Sequence, residues 1–200
     1  MNYPKGVRKS TRKKKRNHKI NYQNRGMTLE EDLNATNEFY LSTNKAIIHK
    51  KPTPVQVVKV HYPKRSAAVI TEAYYQQAST TDYNGLYQQK HIDFEAKETN
   101  NKTSFPLANV QEHQINHMKA IVDHGGICFF IIRFTLHDET YFLKAKDFFI
   151  YWDQMLDGGR KSIPYQVIKE KGYLIPFDYR ARIHYLKVID LLYFRTEEDE

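Results

Sequence analysis

Two hundred residues, 40% of them hydrophobic, suffice for one domain with a core of its own. The formal net charge is +8, but residues 1–25 hold ten Lys/Arg and no acid, leaving 21 Lys/Arg against 23 Asp/Glu for the rest. The excess charge therefore belongs to an arm and the body is close to neutral. No apolar run approaches the ~18 residues of a membrane helix, no apolar leader opens the chain, and the single Cys128 excludes an internal disulfide, so a cytoplasmic chain is expected.

The arm, residues 1–25, is polar, poor in aliphatics and self-repelling, and is expected to be disordered without a polyanion. Sequence-independent phosphate contact is its natural role, and a solubilising tail the simpler alternative. Thr28-Leu29-Glu30-Glu31 matches a capping box, and Leu29, Leu33, Thr36, Phe39 and Tyr40 recur at helical spacing after it. Lys45 to His49 reads as a short strand that Pro52 and Pro54 end. Val55 to Tyr62 and Ala67 to Gln76 read as two strands around Pro63-Lys64-Arg65-Ser66. They form either an ordinary edge hairpin or a long projection with a basic tip at Lys64 and Arg65, which has little core of its own and needs a partner.

A second hairpin turns at Gln88-Gln89-Lys90, with Asn84-Gly85 relaxing or bending its first strand, and a polar loop runs from Lys97 to Pro106. A helix is expected from Asn109 or Val110 to Asp123, with Val110, Ile115, Met118 and Val122 as its buried side and Gly125-Gly126 as its end. Ile127 to Phe134 is a buried strand holding Cys128 as a core thiol, and Tyr141 to Ala145 another, beyond a polar turn at His137-Asp138-Glu139. Asp147 to Met155 reads as an aromatic helix, Gly158-Gly159-Arg160 as a turn, Ile163 to Leu174 is ambiguous, and Ile183 to Phe194 closes as a helix. The expected division is an arm (1–25), a domain (26–196) and an acidic tail (197–200). The order helix, strands, helix, strands, helix predicts an α/β fold around a mixed central sheet.

The chemistry concentrates in the second hairpin. Strand periodicity puts Glu95 and Lys97 on one face with Ala96 opposite, and Asp82 meets Glu95 across the hairpin. Two carboxylates that close repel each other unless a cation sits between them. Two oxygen ligands with open positions suit Mg²⁺, and a lysine beside the ion neutralises charge developing on a phosphate. This is the minimal equipment for phosphodiester hydrolysis, although an acid followed by Glu-x-Lys also occurs on ordinary solvated strands. Gln114, on the following helix, can add an oxygen. His113 and His117 stand four apart, a zinc-compatible spacing, but lack a third ligand nearby. Neither a Gly-rich phosphate loop nor a Ser/His/Asp arrangement is evident.

Five stretches carry a resemblance to a known family: Asn24-Arg25-Gly26-Met27, His49-Lys50-Lys51-Pro52-Thr53-Pro54-Val55-Gln56, His61-Tyr62-Pro63-Lys64-Arg65-Ser66, Ser79-Thr80-Thr81-Asp82-Tyr83-Asn84-Gly85 and Asp93-Phe94-Glu95-Ala96-Lys97-Glu98-Thr99. From about residue 22 to about residue 195 the chain resembles the RecU family of Holliday-junction resolvases. The resemblance implies a restriction-endonuclease-like core and a homodimer, whose twofold symmetry suits paired nicks in a four-way junction. It implies a Mg²⁺ site, which Mn²⁺ also fills, made by Thr80, Asp82, Glu95 and Gln114, with Lys97 stabilising the transition state. Residues 55–78 would be a β-stalk entering the junction centre, with Lys64 and Arg65 near DNA and Arg25 engaged in junction handling. It also implies RecA recombinase and a branch-migration helicase as partners, and association with the nucleoid. Thr81 stands where the wider nuclease superfamily commonly has proline. Two rival readings are a non-catalytic DNA-binding modulator of recombinase that works through the basic arm, and a sequence-specific restriction-type nuclease.

Overall fold

The computed structural model describes residues 27–76 and 80–194; the arm with Arg25 and the acidic tail lie outside them. In chain order the elements are α1 (Leu29–Ser42), β1 (Ile47–Lys50), β2 (Val55–His61), β3 (Val69–Tyr75), β4 (Tyr83–Tyr87), β5 (Lys90–Thr99) and β6 (Ser104–Pro106). There follow α2 (Glu112–Asp123), β7 (Ile127–Phe134), β8 (Glu139–Lys144), α3 (Ala145–Leu156), β9 (Ser162–Pro164), α4 (Tyr165–Lys171), β10 (Tyr173–Leu174) and α5 (Leu186–Ile189). Six strands make a mixed sheet in the order β1-β4-β5-β7-β8-β10. Its one parallel pair is β5 with β7, joined through the crossover that contains α2. The expected α/β class with a mixed central sheet flanked by helices is the one observed.

Alternation along the strands divides the core in two. Ile92, Phe94, Phe129, Ile131 and Phe142 face α1 and α5, packing on Leu33, Tyr40, Tyr185 and Ile189. Phe130, Ile132, Phe134 and Leu143 face α2 and α3, packing on Ile115, Met118, Phe148 and Trp152. On the first face Tyr83, Phe94, Phe129 and Phe142 stack across β4, β5, β7 and β8, with centroids 4.8, 4.7 and 4.2 Å apart. Large flat rings bury much apolar area and fix strand register at once.

The helices begin where local hydrogen bonding allows. The capping box at α1 is complete: Glu31 N–H donates to Thr28 Oγ1 and Thr28 N–H to Glu31 Oε2. The helix expected from Asn109 or Val110 starts instead at Glu112, because Gln111 and Gln114 form the cap, and Val110 is buried ahead of it. β5 runs two residues beyond Lys97, and the loop expected up to Pro106 contains β6, paired with β9. The ambiguous stretch 163–174 resolves into most of β9, then α4 and β10. Only Leu186–Ile189 of the closing helix is α-helical; Asp190–Phe194 continues as a wider π turn, and Ile183 instead bridges to Phe177.

Two features position the site. The β4–β5 hairpin turns on Gln88 and Gln89, with φ of 44° and 62°, the double left-handed geometry whose twist suits a two-residue loop. The hairpin β2–β3 shares no ladder with the main sheet and is exposed at every strand position, with its register broken around Lys59. Lys64 and Arg65 sit at its tip, and the Gln76 N–H donates to Pro54 O at its base, 3.0 Å away. Its sides carry Val55, Val57, Val60, Ile70, Tyr74 and Tyr75, all exposed. Among the described residues no helix is long and apolar enough to cross a membrane.

Gly85 does not bend β4. It pairs with Ile48 of β1, and a Cβ there would collide with the Ile47 carbonyl and the Ile48 backbone. Gly85→Ala is expected to cost ~2 kcal/mol or more by overpacking against backbone that has no room to move, read as a lower melting temperature by calorimetry.

Candidate active site

β5 is an inner strand with unequal faces. Ile92, Phe94 and Ala96 enter the aromatic layer, while Asp93, Glu95 and Lys97 point to the α2 side, where Gln114 and His117 meet them. Glu95 is fully buried. Its Oε1 accepts from Gln114 Nε2 at 2.8 Å and contacts the Lys97 ammonium, and its Oε2 accepts from the Asp82 N–H at 3.2 Å. Asp82, half-buried just before β4, accepts at Oδ2 from the Ala96 N–H at 3.3 Å, and Lys97 Nζ lies 3.6 Å from the same oxygen. One ammonium thus reaches both carboxylates, and Glu95 and Lys97 share a face as strand periodicity predicted.

Gln114 is present, but in a specific orientation. Its Nε2 donates to Glu95 while its Oε1 accepts from the Gln111 N–H at 2.9 Å as part of the helix cap. As seated, it presents an amide nitrogen, not an oxygen, to the carboxylates. Thr80 lines an open cleft of about 620 Å³ together with Lys50, Lys51, Thr53, Asp82 and Lys97. Lys64 and Arg65 are not brought to this cluster; they lie at the far end of the hairpin, and Arg25 lies outside the described residues.

Sequence reading missed Asp93. It is 1% exposed and accepts from Thr81 Oγ1 at Oδ1 and from Lys51 Nζ at Oδ2, 2.9 Å away. His117 Nε2 and His91 Nε2 approach Oδ2 at 3.3 and 3.5 Å. The available signal was its place two residues before Glu95, hence on the same face. His117, considered for zinc beside His113, faces this carboxylate instead.

Burial first, then repulsion from Asp82, pushes the Glu95 carboxyl up to about 7, with Lys97 pulling the other way. For Lys97 burial works downward, but the Glu95 and Asp82 carboxylates outweigh it and the net shift is upward, keeping the ammonium charged. The oxygen donors are two carboxylates, with Thr80 on the cleft wall and Gln114 turned nitrogen-first; carboxylates are the hard ligands that Mg²⁺ accepts while keeping several waters. The burial and repulsion that Lys97 only partly offsets at Glu95 are what a cation would relieve. The residues fit a divalent ion.

A mixed sheet that sets Asp82 and Lys97 at an open cleft, with the buried Glu95 in contact with that lysine, is an arrangement compatible with a phosphodiester-cleaving nuclease. Residues 24–191 match the family model of RecU, Recombination protein U. The chain is 64% identical over 200 residues to the Holliday junction resolvase RecU of Oceanobacillus iheyensis, covering 97% of this chain and 100% of that protein. It is 63% identical over 173 residues to the protein of the same name from Geobacillus kaustophilus, and 60% over 173 residues to that from Bacillus cereus, with 86% of each chain covered in both cases. The chain belongs to the RecU family.

The raised Glu95 carboxyl has a measurable consequence. Between about 4.5 and about 7 the folded state holds a proton that the unfolded state has released, so this contribution to stability is full at the acid end and is lost as pH rises through about 7. In EDTA, the melting temperature of the wild type should fall across that window relative to Glu95→Gln, whose amide does not ionise. A wild-type profile parallel to that of the variant would contradict the assignment.

Proposed function

We infer that this chain is a divalent-metal-dependent endonuclease that resolves four-way DNA junctions by paired nicks, with Asp82 and Glu95 holding Mg²⁺ and Lys97 as the electrostatic group. The observation that carries the reading is the Lys97 ammonium reaching both carboxylates at the cleft, in a chain of the RecU family. When bound, the ion supplies Lewis acidity and a water of lowered pKa. The chain's own residues do the rest. Glu95 is oriented at both oxygens, by Gln114 and by the Asp82 N–H, so its geometry is fixed before substrate arrives. Lys97, kept cationic by its two neighbours, neutralises charge on the phosphate and is not the base.

Gln114 serves first to orient Glu95, and offers oxygen to a metal only by giving up its cap bond or through a water. Thr80, at the cleft wall, supplies a neutral oxygen. The Lys64/Arg65 tip contacts DNA at the junction centre, and Arg25 with the basic arm adds phosphate contacts. A twofold dimer gives the exposed apolar sides of β2–β3 a partner and supplies two symmetric sites. RecA recombinase and a branch-migration helicase as partners, Mn²⁺ as a substitute ion and association with the nucleoid rest on the family resemblance.

The test is cleavage of a synthetic four-way junction and of linear duplex of the same sequence, in Mg²⁺ or EDTA. Paired nicks confined to the junction are expected, abolished by EDTA, and reduced ~10²-fold or more by Asp82→Asn and by Lys97→Ala. Binding without any Mg²⁺-dependent cutting would leave a recombinase modulator, and fixed-site cutting of linear duplex a restriction-type enzyme.

A further inference from the structure

Asp82 lies one residue outside the sheet that should hold it. The ladder between β1 and β4 ends at Lys50 opposite Tyr83, so Thr80, Thr81 and Asp82 precede regular pairing. Asp82 itself is tied to β5 by its N–H bond to Glu95 and by the Ala96 N–H, and Lys51 ties down the segment around it. The Lys51 backbone N–H donates to the Asp82 carbonyl at 2.8 Å, and its ammonium donates to Thr81 Oγ1 and to Asp93 Oδ2, both at 2.9 Å. The Thr81 hydroxyl in turn donates to Asp93 Oδ1. Thr81 is 2% exposed and Asp93 1% exposed. The group is therefore a triangle at the cleft wall, closed by two buried residues and by Lys51, whose side chain is partly exposed.

We propose that Lys51, Asp93 and Thr81 form a lock that sets the position of Asp82 relative to Glu95 for metal binding. They are positioning residues, which act through the segment that carries Asp82. The logic is geometric. Asp93 is rigid because it belongs to β5, the same strand that carries Glu95 two residues on, so the lock references the loop bearing one carboxylate to the strand bearing the other. A buried ion pair is a poor source of stability but a good source of a unique arrangement. Outer groups that orient metal ligands typically change metal affinity or activity by ~10–100-fold when removed.

The proposal rests on the reading of Asp82 as a metal ligand, and the experiment separates the two. Thr81→Val keeps shape and β-branching and deletes the hydroxyl; Thr81→Ser restores it. Metal-free protein is titrated with Mn²⁺ by calorimetry, junction affinity is measured in EDTA, and single-turnover cleavage is measured in Mg²⁺. Thr81→Val should weaken Mn²⁺ binding and slow cleavage together by ~10-fold or more, with junction affinity in EDTA close to wild type and the melting temperature lowered because the buried Asp93 loses a donor. Thr81→Ser should recover both losses. The paired change Lys51→Met with Asp93→Asn removes the lock without stranding a buried charge, and should reproduce the Val phenotype if Thr81→Val folds poorly. Wild-type Mn²⁺ affinity in Thr81→Val and in the paired variant, or a Ser variant as impaired as Val, overturns the lock. Asp82→Asn is run alongside. If it loses Mn²⁺ binding while the lock variants keep theirs, only the lock fails. If it binds Mn²⁺ as wild type does, the ligand assignment fails and the lock with it.

Discussion

The structure depends on one strand carrying incompatible faces. β5 lies inside the sheet, where both sides are normally apolar, yet it sets Asp93, Glu95 and Lys97 against α2. Such a face persists only if every charge is answered nearby. Lys51 and Thr81 answer Asp93, Lys97 and Gln114 answer Glu95, and the opposite face compensates with an aromatic stack across four strands. The positions of β1, the Thr80–Asp82 segment and α2 follow from that requirement.

The same requirement explains the charge state at the cleft. Lys97 stands between Asp82 and Glu95, in the role a cation would take. Burial works against ionised Glu95, and the lysine only partly offsets it. The protein without metal thus keeps one carboxylate poised near neutrality and one ammonium firmly charged. A cation held by these carboxylates would compete with that proton and with Lys97 for them, and the ammonium would then stand close to a phosphate bound there.

Period-two and capping signals made much of this legible from sequence. Ile127–Phe134 is apolar but for Arg133 and reads as an inner strand, and the Thr28/Glu31 box marked the start of α1. Glu95 and Lys97 were placed on one face by alternation alone. Asp93 obeys the same alternation, but in Ile-Asp-Phe a lone acid reads as the wet side of a strand; only tertiary cover by α2 and Lys51 makes it buried. The start of α2 was obscure because glutamine is a weak capping residue, and here Gln111 works only with Gln114. Short elements such as β6, β9 and β10 depend on partners distant in sequence and leave little local trace. Gly85 looked like a bend and proved to be a clearance for β1.

The β2–β3 hairpin leaves the domain just after Lys51, shares no ladder with the main sheet and is closed at its base by the Gln76–Pro54 hydrogen bond. Each of its strands is seven residues long, a reach of ~23 Å. Its length can therefore change in steps of a residue pair without shifting a single register in the main sheet. The fold thus separates the hairpin from the sheet that carries Glu95 and Lys97, so a change in the length of the first leaves the second untouched.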